Sequence, residues 1–473
     1  MSYVLFLGLL ALVLLAVGVY HTHKKLPGGL SWEGTEYPGC TCAFLRDLTW
    51  IDAQGGRHTD QQIMDAVLAL IRGAQKIILM DMFLFNDFSG TVQAGTRPLA
   101  REVTTALLAR KKDIQELRII LITDPVNTVY GGLVNPYLAE LRSAGITVVS
   151  TDLDPLRDSN ILYSPLWRVL VRPFGTGRGV LLPNPFGQGR VSVRSYLRLL
   201  NFKANHRKLI VADSRDGYSA LVTSFNPHDG SSAHGNVALR FSGPAVQDIL
   251  ACERSVPGMV QDVLPACSAP IISPCPDSDV RVQVLTEGRI KKAVLAELGK
   301  VGGGDRVDLV MFYLADRQVV RAMIKAKRRG ARLRVLLDPN KDAFGRVKNG
   351  IPNRQAAAVL VGAGVAVRWA NTRGEQLHAK MVLVERAGGE GFLLLGSANF
   401  TRRNLDDYNL ELDVAVRGTG QARPFLQARC YVDLLWENRD QRLSSLDYER
   451  YADTSIVRRT ISRWQEATGM STF

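Results

Sequence analysis

One phrase of nine residues occurs twice, and it limits what the chain can be. The first copy runs Asn205-His206-Arg207-Lys208-Leu209-Ile210-Val211-Ala212-Asp213, the second Leu377-His378-Ala379-Lys380-Met381-Val382-Leu383-Val384-Glu385. Each reads His-x-Lys, four mostly apolar residues, then a carboxylate. An extended segment puts alternate side chains on one face. His206 and Lys208 therefore point the same way, as do His378 and Lys380. The apolar runs that follow suit buried strands. Each copy presents an imidazole beside an ammonium at the mouth of a sheet, and two such pairs facing each other can hold a phosphate diester.

A second phrase follows each copy. Ser224-Phe225-Asn226 comes after the first and Ser397-Ala398-Asn399 after the second, with 20 positions from His206 to Asn226 and 21 from His378 to Asn399. A hydroxyl and an amide at a strand end can bond phosphate oxygens. Ser224, Ser397, Asn226 and Asn399 are therefore expected beside the substrate.

The surrounding elements repeat as well. A capping-box pattern, Thr59-x-x-Gln62, precedes Ile63, Ala66, Val67, Leu70 and Ile71 at helical spacing. Apolar strands are expected over residues 76–85 and 118–125, the latter ending Asp124-Pro125, and a third ends near Val149. In the second half Arg306 to Leu314 matches the first strand, and Arg334 to Pro339, ending Asp338-Pro339, matches the second. Alternating helices and apolar strands argue α/β sheet layers. The reading is an internal duplication: a linker over 23–45, a first half over 46–264, a Pro-rich joint over 265–279 and a second half over 280–473.

The halves differ in one place. Asp124 to His206 spans 82 positions and Asp338 to His378 spans 40, so about 42 extra residues lie within 152–200. From Ser159 to Asn205 the chain has no acidic residue and seven basic ones, Arg168, Arg172, Arg178, Arg190, Arg194, Arg198 and Lys203. Trp167, Phe174, Phe186 and Tyr196 are interleaved with them. Such a segment suits an anionic lipid surface. Single-stranded nucleic acid, or a solvated loop over packed aromatics, would also accommodate it. Arg168, Arg172 and Arg198 are expected at the substrate.

Residues 3–20 carry no charge and are just long enough to cross a bilayer. Neither basic residues before them nor a small-residue cleavage site after them mark a signal peptide, so a transmembrane anchor over residues 1–22 is expected. Lys24 and Lys25 behind the span favour a cytoplasmic body. The cysteines pull weakly the other way, since Cys267 and Cys275 could bridge in an exported protein. The net charge of +14 favours a polyanionic partner.

The two phrases resemble the signature of the phospholipase D superfamily, His-x-Lys-x4-Asp followed by Gly-Ser-x-Asn, and the resemblance covers roughly residues 46 to 440. It implies two duplicated α/β/α sandwich halves packed together, with one active site at their interface. It also implies two-step chemistry. Lys208, Lys380, Asn226 and Asn399 would neutralise a phosphodiester without metal or cofactor. His206 would attack phosphorus to form a phosphohistidine, and His378 would act as acid and then base. Two departures stand out. Glu411 supplies a carboxylate of the kind that orients a catalytic histidine, whereas the stretch matched to it, Asn236-Val237-Ala238, has none; if each half orients its own histidine, the roles could swap. Glu385 replaces the usual aspartate, Asp213 in the first copy, with a structural hydrogen bond or ion pair as its expected role. Within the superfamily the chain most resembles bacterial cardiolipin synthases, which act on anionic phospholipid at the cell membrane. A phospholipase D, a nuclease and a catalytically dead lipid-binding scaffold are the other readings.

Overall fold

The computed structural model describes residues 2–88, 97–177, 179–214, 217–259, 264, 278–343, 346–440 and 442–471. Arg178, Cys267, Cys275 and nearly all of the joint over 265–279 lie outside the described residues.

After α1 (Ser2–His23) come β1 (Tyr37–Pro38), β2 (Cys40–Ile51), β3 (Arg57–Gln61), α2 (Gln62–Gly73), β4 (Ile77–Met82), α3 (Leu99–Asp113), β5 (Arg118–Thr123), α4 (Pro136–Ser143) and β6 (Thr147–Ser150). The extra segment holds α5 (Ser164–Leu170), a small hairpin of β7 (Leu182–Pro183) and β8 (Arg190–Val191), and α6 (Val193–Leu199). β9 (Lys208–Ser214), β10 (Gly217–Thr223), β11 (Asn236–Ser242) and α7 (Ala245–Glu253) complete the first half. The second half runs β12 (Val280–Thr286), α8 (Gly288–Lys300), β13 (Arg306–Met311), α9 (Arg317–Arg328), β14 (Arg332–Leu337), the hairpin β15 (Asp342–Ala343) and β16 (Arg346–Val347), then α10 (Asn353–Val361) and β17 (Ala366–Ala370). It continues through β18 (Lys380–Glu385), β19 (Glu390–Gly396), α11 (Arg402–Leu405), β20 (Leu412–Thr419), α12 (Arg423–Trp436), β21 (Ser445–Asp447) and α13 (Ile456–Thr468).

The duplication is plain in the strand order. The first sheet reads β3-β2-β11-β10-β9-β4-β5-β6 and the second β1-β12-β20-β19-β18-β13-β14-β17-β21. Seven strands correspond one to one, from β2 with β12 to β6 with β17. The parallel pairs β4·β5 and β5·β6 recur as β13·β14 and β14·β17. β2 begins at Cys40, and Tyr37–Pro38 already pairs with β12. Part of the stretch expected as linker is therefore strand.

The strands beneath the catalytic phrases are buried on both faces, which is why they read as continuous apolar runs. Leu209 and Val211 face one core while Ile210 and Ala212 face another; Met381 and Leu383 share the first of these, and Val382 and Val384 face a third. The outer cores are closed by α2, α3 and α4 on one sheet and by α8, α9 and α10 on the other. The shared core lies between the sheets and includes α7 and α12. Each half sends its last sheet-packing helix across, α7 onto β12 and α12 onto β2.

One local expectation fails. Thr59 is a strand residue paired with Thr49, not the cap of α2. Gln61 occupies that cap position without a side-chain capping bond. Asp47, on the neighbouring β2, accepts from Ile63 N at 3.0 Å instead. A carboxylate brought by tertiary structure satisfies one of the helix's orphan donors.

Candidate active site

The seam between the halves brings the two phrases together by a reciprocal backbone exchange. His206 N donates to Leu410 O at 2.8 Å, and Leu410 N to Ala204 O at 3.0 Å. Likewise His378 N donates to Gly235 O at 2.8 Å, and Gly235 N to Gln376 O at 2.9 Å. Each histidine is thus clamped to the segment that enters the other half's β11 or β20.

This crossing settles which group orients which ring. The residue after Leu410 is Glu411, and His206 donates through Nδ1 to its Oε2 at 2.9 Å. The residue after Gly235 is Asn236, and His378 donates through Nδ1 to its Oδ1 at 3.2 Å. The counterpart of Glu411 is therefore Asn236, not Ala238. Pairing Asn409 with Asn236 by residue type set the match two positions off. Each half orients the other half's histidine, so His206 is the one with a carboxylate. Donating at Nδ1 leaves Nε2 with the lone pair on both neutral rings.

The serines stand behind these groups. Ser224 Oγ donates to Asn236 Oδ1 at 3.1 Å and accepts from Val237 N at 3.1 Å. Ser397 Oγ donates to Glu411 Oε2 and accepts from Leu412 N at 3.0 Å. Both hydroxyls are engaged in fixing the orienting residues, which corrects the expectation that they bind substrate. Asn404 Nδ2 completes the shell around Glu411 by donating to Oε1.

The lysines are arranged alike. Lys208 Nζ donates to His206 O at 2.5 Å and lies 5.0 Å from the Phe83 ring centroid; Lys380 Nζ donates to His378 O at 2.6 Å and lies 4.9 Å from Phe312. Phe83 also meets the His206 ring at 4.8 Å, and Phe312 meets His378 at 5.0 Å. Asn226 accepts from Leu84 N at 3.1 Å. Its counterpart Asn399 is also buried, and its Oδ1 makes no hydrogen bond among the described residues.

Electrostatically the cluster is short of an anion. Burial drives His206 down to about 4, against the pull of Glu411 and with the push of Lys208. Burial, Lys380 and His234 hold His378 well below the ordinary imidazole value. Lys208 falls to about 7, mainly by burial, and burial with Lys208 puts Lys380 well below its ordinary value. Burial alone would raise Glu411, but His206 and Lys208 hold it below the usual carboxylate value. A phosphodiester placed here would reverse the penalty on every cation.

The terminal carboxylates of the phrases lie elsewhere. Asp213 and Glu385 are five residues beyond the lysines, about 16 Å along a strand. Asp213 Oδ1 accepts from the backbone N of Gln75, Lys76 and Ile77 at 3.1, 2.8 and 2.8 Å. Glu385 pairs with Arg429 and, at 3.8 Å, with Arg306. The resemblance groups both carboxylates with the catalytic residues; the structure instead makes Asp213 a clasp between strand ends and Glu385 a structural ion pair.

Of the basic segment, Arg168 is buried and bidentate on Asp158, at 2.6 and 2.9 Å, and Lys203 joins the same carboxylate. Arg168 is thus a structural ion pair and not a substrate contact. Arg172 and Arg198 instead line a cavity of about 240 Å³ with Arg194, Trp167 and Asp154. Of the four aromatics, Trp167 is buried and Phe174 is exposed.

Sequence reasoning missed several residues that set the site. Asp124 Oδ2 accepts from Asn205 N at 2.7 Å, and Asp338 Oδ2 from Leu377 N at 2.8 Å, so each fixes the peptide before a histidine. The repeated Asp-Pro was the available signal. Behind His206, fully buried Arg207 bridges Glu253 at 2.9 Å and Glu287 at 2.7 Å. Glu287 sits at φ +48° and accepts from Glu411 N at 3.2 Å. A left-handed non-glycine residue of this kind persists only where its surroundings hold it.

Residues 294–428 match the family model described as "Cardiolipin synthase, PLD-like domain". The chain thus carries a phospholipase D-like domain in its second half. It is an enzyme of the phosphatidyltransferase and phosphodiesterase class. No curated protein matches it. Phosphatidylserine synthase from Haemophilus influenzae Rd KW20 is similar in structure, at 11% identity and a TM-score of 0.57, over 96% of this chain and 99% of that one. That likeness is one of fold, and it covers both halves. Polyphosphate kinase from Porphyromonas gingivalis aligns at 12% identity over 91% of this chain and 53% of its own, with a TM-score of 0.45. The phospholipase D family member Nuc from Salmonella typhimurium aligns at 20% identity over 36% of this chain and 98% of its own, with a TM-score of 0.28.

Proposed function

We propose that this enzyme transfers phosphatidyl groups between anionic phospholipids in the manner of a cardiolipin synthase. One phosphatidylglycerol gives its phosphatidyl group to the hydroxyl of a second, and glycerol leaves. The observation that carries this reading is the single buried cluster of His206, Lys208, His378 and Lys380 at the seam. The description of the matching family model supports it, as do the basic segment and an apolar helix of membrane-spanning length.

The unequal orienting groups support one division of roles. Glu411 stabilises positive charge on His206, as a phosphohistidine requires, and so favours attack by its Nε2 on phosphorus. Asn236 orients His378 without adding a negative charge, which leaves a protonated His378 the more acidic of the two. His378 gives its Nε2 proton to the glycerol oxygen as the phosphorus–oxygen bond breaks. It then takes the proton of the incoming hydroxyl, whose oxygen attacks phosphorus and releases His206. Lys208 and Lys380 balance the charge on the phosphoryl oxygens throughout.

The test is purified protein in mixed micelles with phosphatidylglycerol, products read by lipid mass spectrometry, with His206→Ala and His378→Ala beside it. Cardiolipin and free glycerol, absent from both variants, is the expected result. Phosphatidic acid alone would make water the acceptor and the enzyme a phospholipase D. DNA cleavage without lipid turnover would overturn the reading.

A further inference from the structure

Helix α13 is built inside out for a water-facing surface. At about 100° per residue, Ile456, Val457, Thr460, Ile461, Trp464 and Ala467 gather on one side. That side faces outward: Ile456 is 77% exposed, Val457 68% and Trp464 49%. Polar groups turn inward instead. Ser462 is buried, and Glu466 accepts from Arg402 N at 2.7 Å. A surface helix ordinarily turns its apolar stripe to the core. One that turns it outward presents a face that another apolar medium covers.

The position of α13 identifies that medium. Its C-terminal end is fastened to the basic segment, where Ile161 N donates to Thr468 O at 3.1 Å. Arg403 ties the same place, donating through Nη2 to Gly469 O at 2.8 Å and Ser471 O at 2.6 Å and through Nε to Ser159 Oγ at 3.3 Å. A few residues on, α5 packs against α1: Pro165 stands close to Gly18, and Asp158 N donates to His21 O at 2.9 Å. α1 is the apolar span, and its most hydrophobic stretch has no buried residue; Thr22, near its C-terminal end, is buried. Leu162, Leu166, Leu170 and Phe174, between the two, are exposed. Apolar exposure therefore runs from α1 through the basic segment to α13. Arg458, half exposed and paired with Asp453 at 2.9 Å, and Arg463 flank the apolar side of α13, and Arg172, paired with Asp154 at 2.7 Å, stands half exposed beside Phe174.

We propose that α13 lies flat in the interface of an anionic bilayer, the one α1 crosses, with Trp464 among the headgroups and Arg458 and Arg463 on lipid phosphates. The inference rests on α1 crossing that bilayer and not on which reaction the site performs. It also gives the tie at Arg403 a purpose. Asn404, the next residue, holds Glu411, so the segment that seats the enzyme on lipid also braces the group that orients His206.

The experiment places the full-length protein in phosphatidylglycerol nanodiscs with and without brominated acyl chains and reads tryptophan fluorescence. The chain has six tryptophans, so comparison with Trp464→Phe isolates the signal of this one. The Trp464 component is expected to lose more than half its intensity in brominated discs. Equal intensity in both discs would overturn the proposal, whether the side chain proved open to aqueous iodide or shielded by a second copy of the chain. In a second arm, dilution with phosphatidylcholine and Arg458→Gln/Arg463→Gln are each expected to reduce the quenching at least twofold. Quenching indifferent to both would overturn the anionic surface. Neither arm reads catalysis, so failure here and failure of the proposed reaction are distinguishable.

Discussion

Replacing Glu411 by Gln tests the assignment of His206 as the nucleophile. The carboxylate accepts from His206 Nδ1 at 2.9 Å, from Ser397 Oγ and from Asn404 Nδ2. Glutamine keeps the shape but offers only one acceptor oxygen, and its amide then meets a donor. When His206 bonds to phosphorus its ring becomes cationic. A charge-assisted bond is worth about 1.5–3 kcal/mol, and a charge pair about 4 Å apart at an effective dielectric of 20 about 4 kcal/mol. Taking 2–4 kcal/mol as lost only in the transition state, kcat should fall about 30- to 1000-fold. Asn236→Ala removes a neutral bond worth about 1 kcal/mol from His378, so it should lower kcat only about five- to tenfold. The assay is steady-state turnover of a short-chain phosphatidylglycerol, with stopped-flow measurement of the first step and thermal unfolding as a control. Glu411→Gln turning over within threefold of wild type, or Asn236→Ala proving the more damaging, would refute the reasoning.

Further outcomes follow from the same geometry. Burial holds the site's cations down, Lys208 to about 7 and Lys380 and both histidines below their ordinary values. A bound anion raises them, so the complex carries more protons than the free protein, and affinity for a soluble phosphodiester should fall about three- to tenfold per unit as pH rises from 6 to 8. Calorimetry in buffers of different ionisation enthalpy would show proton uptake, and proton release would contradict the electrostatics. Asp124→Ala leaves Val126 N and Asn205 N without their acceptor. It should cost about 2–5 kcal/mol in urea unfolding, at about 1–3 kcal/mol per buried donor, and should lower kcat because the peptide before His206 loosens. Asp213→Ala removes three such bonds at the far end of β9. It should destabilise by a similar amount while leaving kcat within twofold, and a catalytic loss in the folded variant would return Asp213 to the site.

The parts of this architecture that depend on local pattern were legible before any coordinates. The duplicated phrase placed His206, Lys208, His378 and Lys380, and strand periodicity with the repeated Asp-Pro gave the order of the halves. What could not be read is what crosses between halves. Glu411 reaches a ring 205 positions earlier, and no spacing rule within one half predicts a partner from the other. The serines looked like substrate ligands because a hydroxyl's partner depends on the strand beside it. The basic segment seemed more charged than it is, because Asp154 and Asp158, just before the acid-free window, neutralise Arg172 and Arg168. In α13 the periodicity shows an apolar stripe but not the direction it faces, and that direction is the finding.

The most direct test of the account is to trap the covalent enzyme. A lipid phosphodiester with a p-nitrophenol leaving group needs no acid for its departure, so His378→Ala should release about one equivalent in a burst and then stall. Alkaline quenching and peptide mass spectrometry should find the phosphatidyl adduct on His206, with His206→Ala showing neither burst nor adduct. A burst from His206→Ala with the adduct on His378 would reverse the roles, and turnover without any adduct would contradict the two-step account.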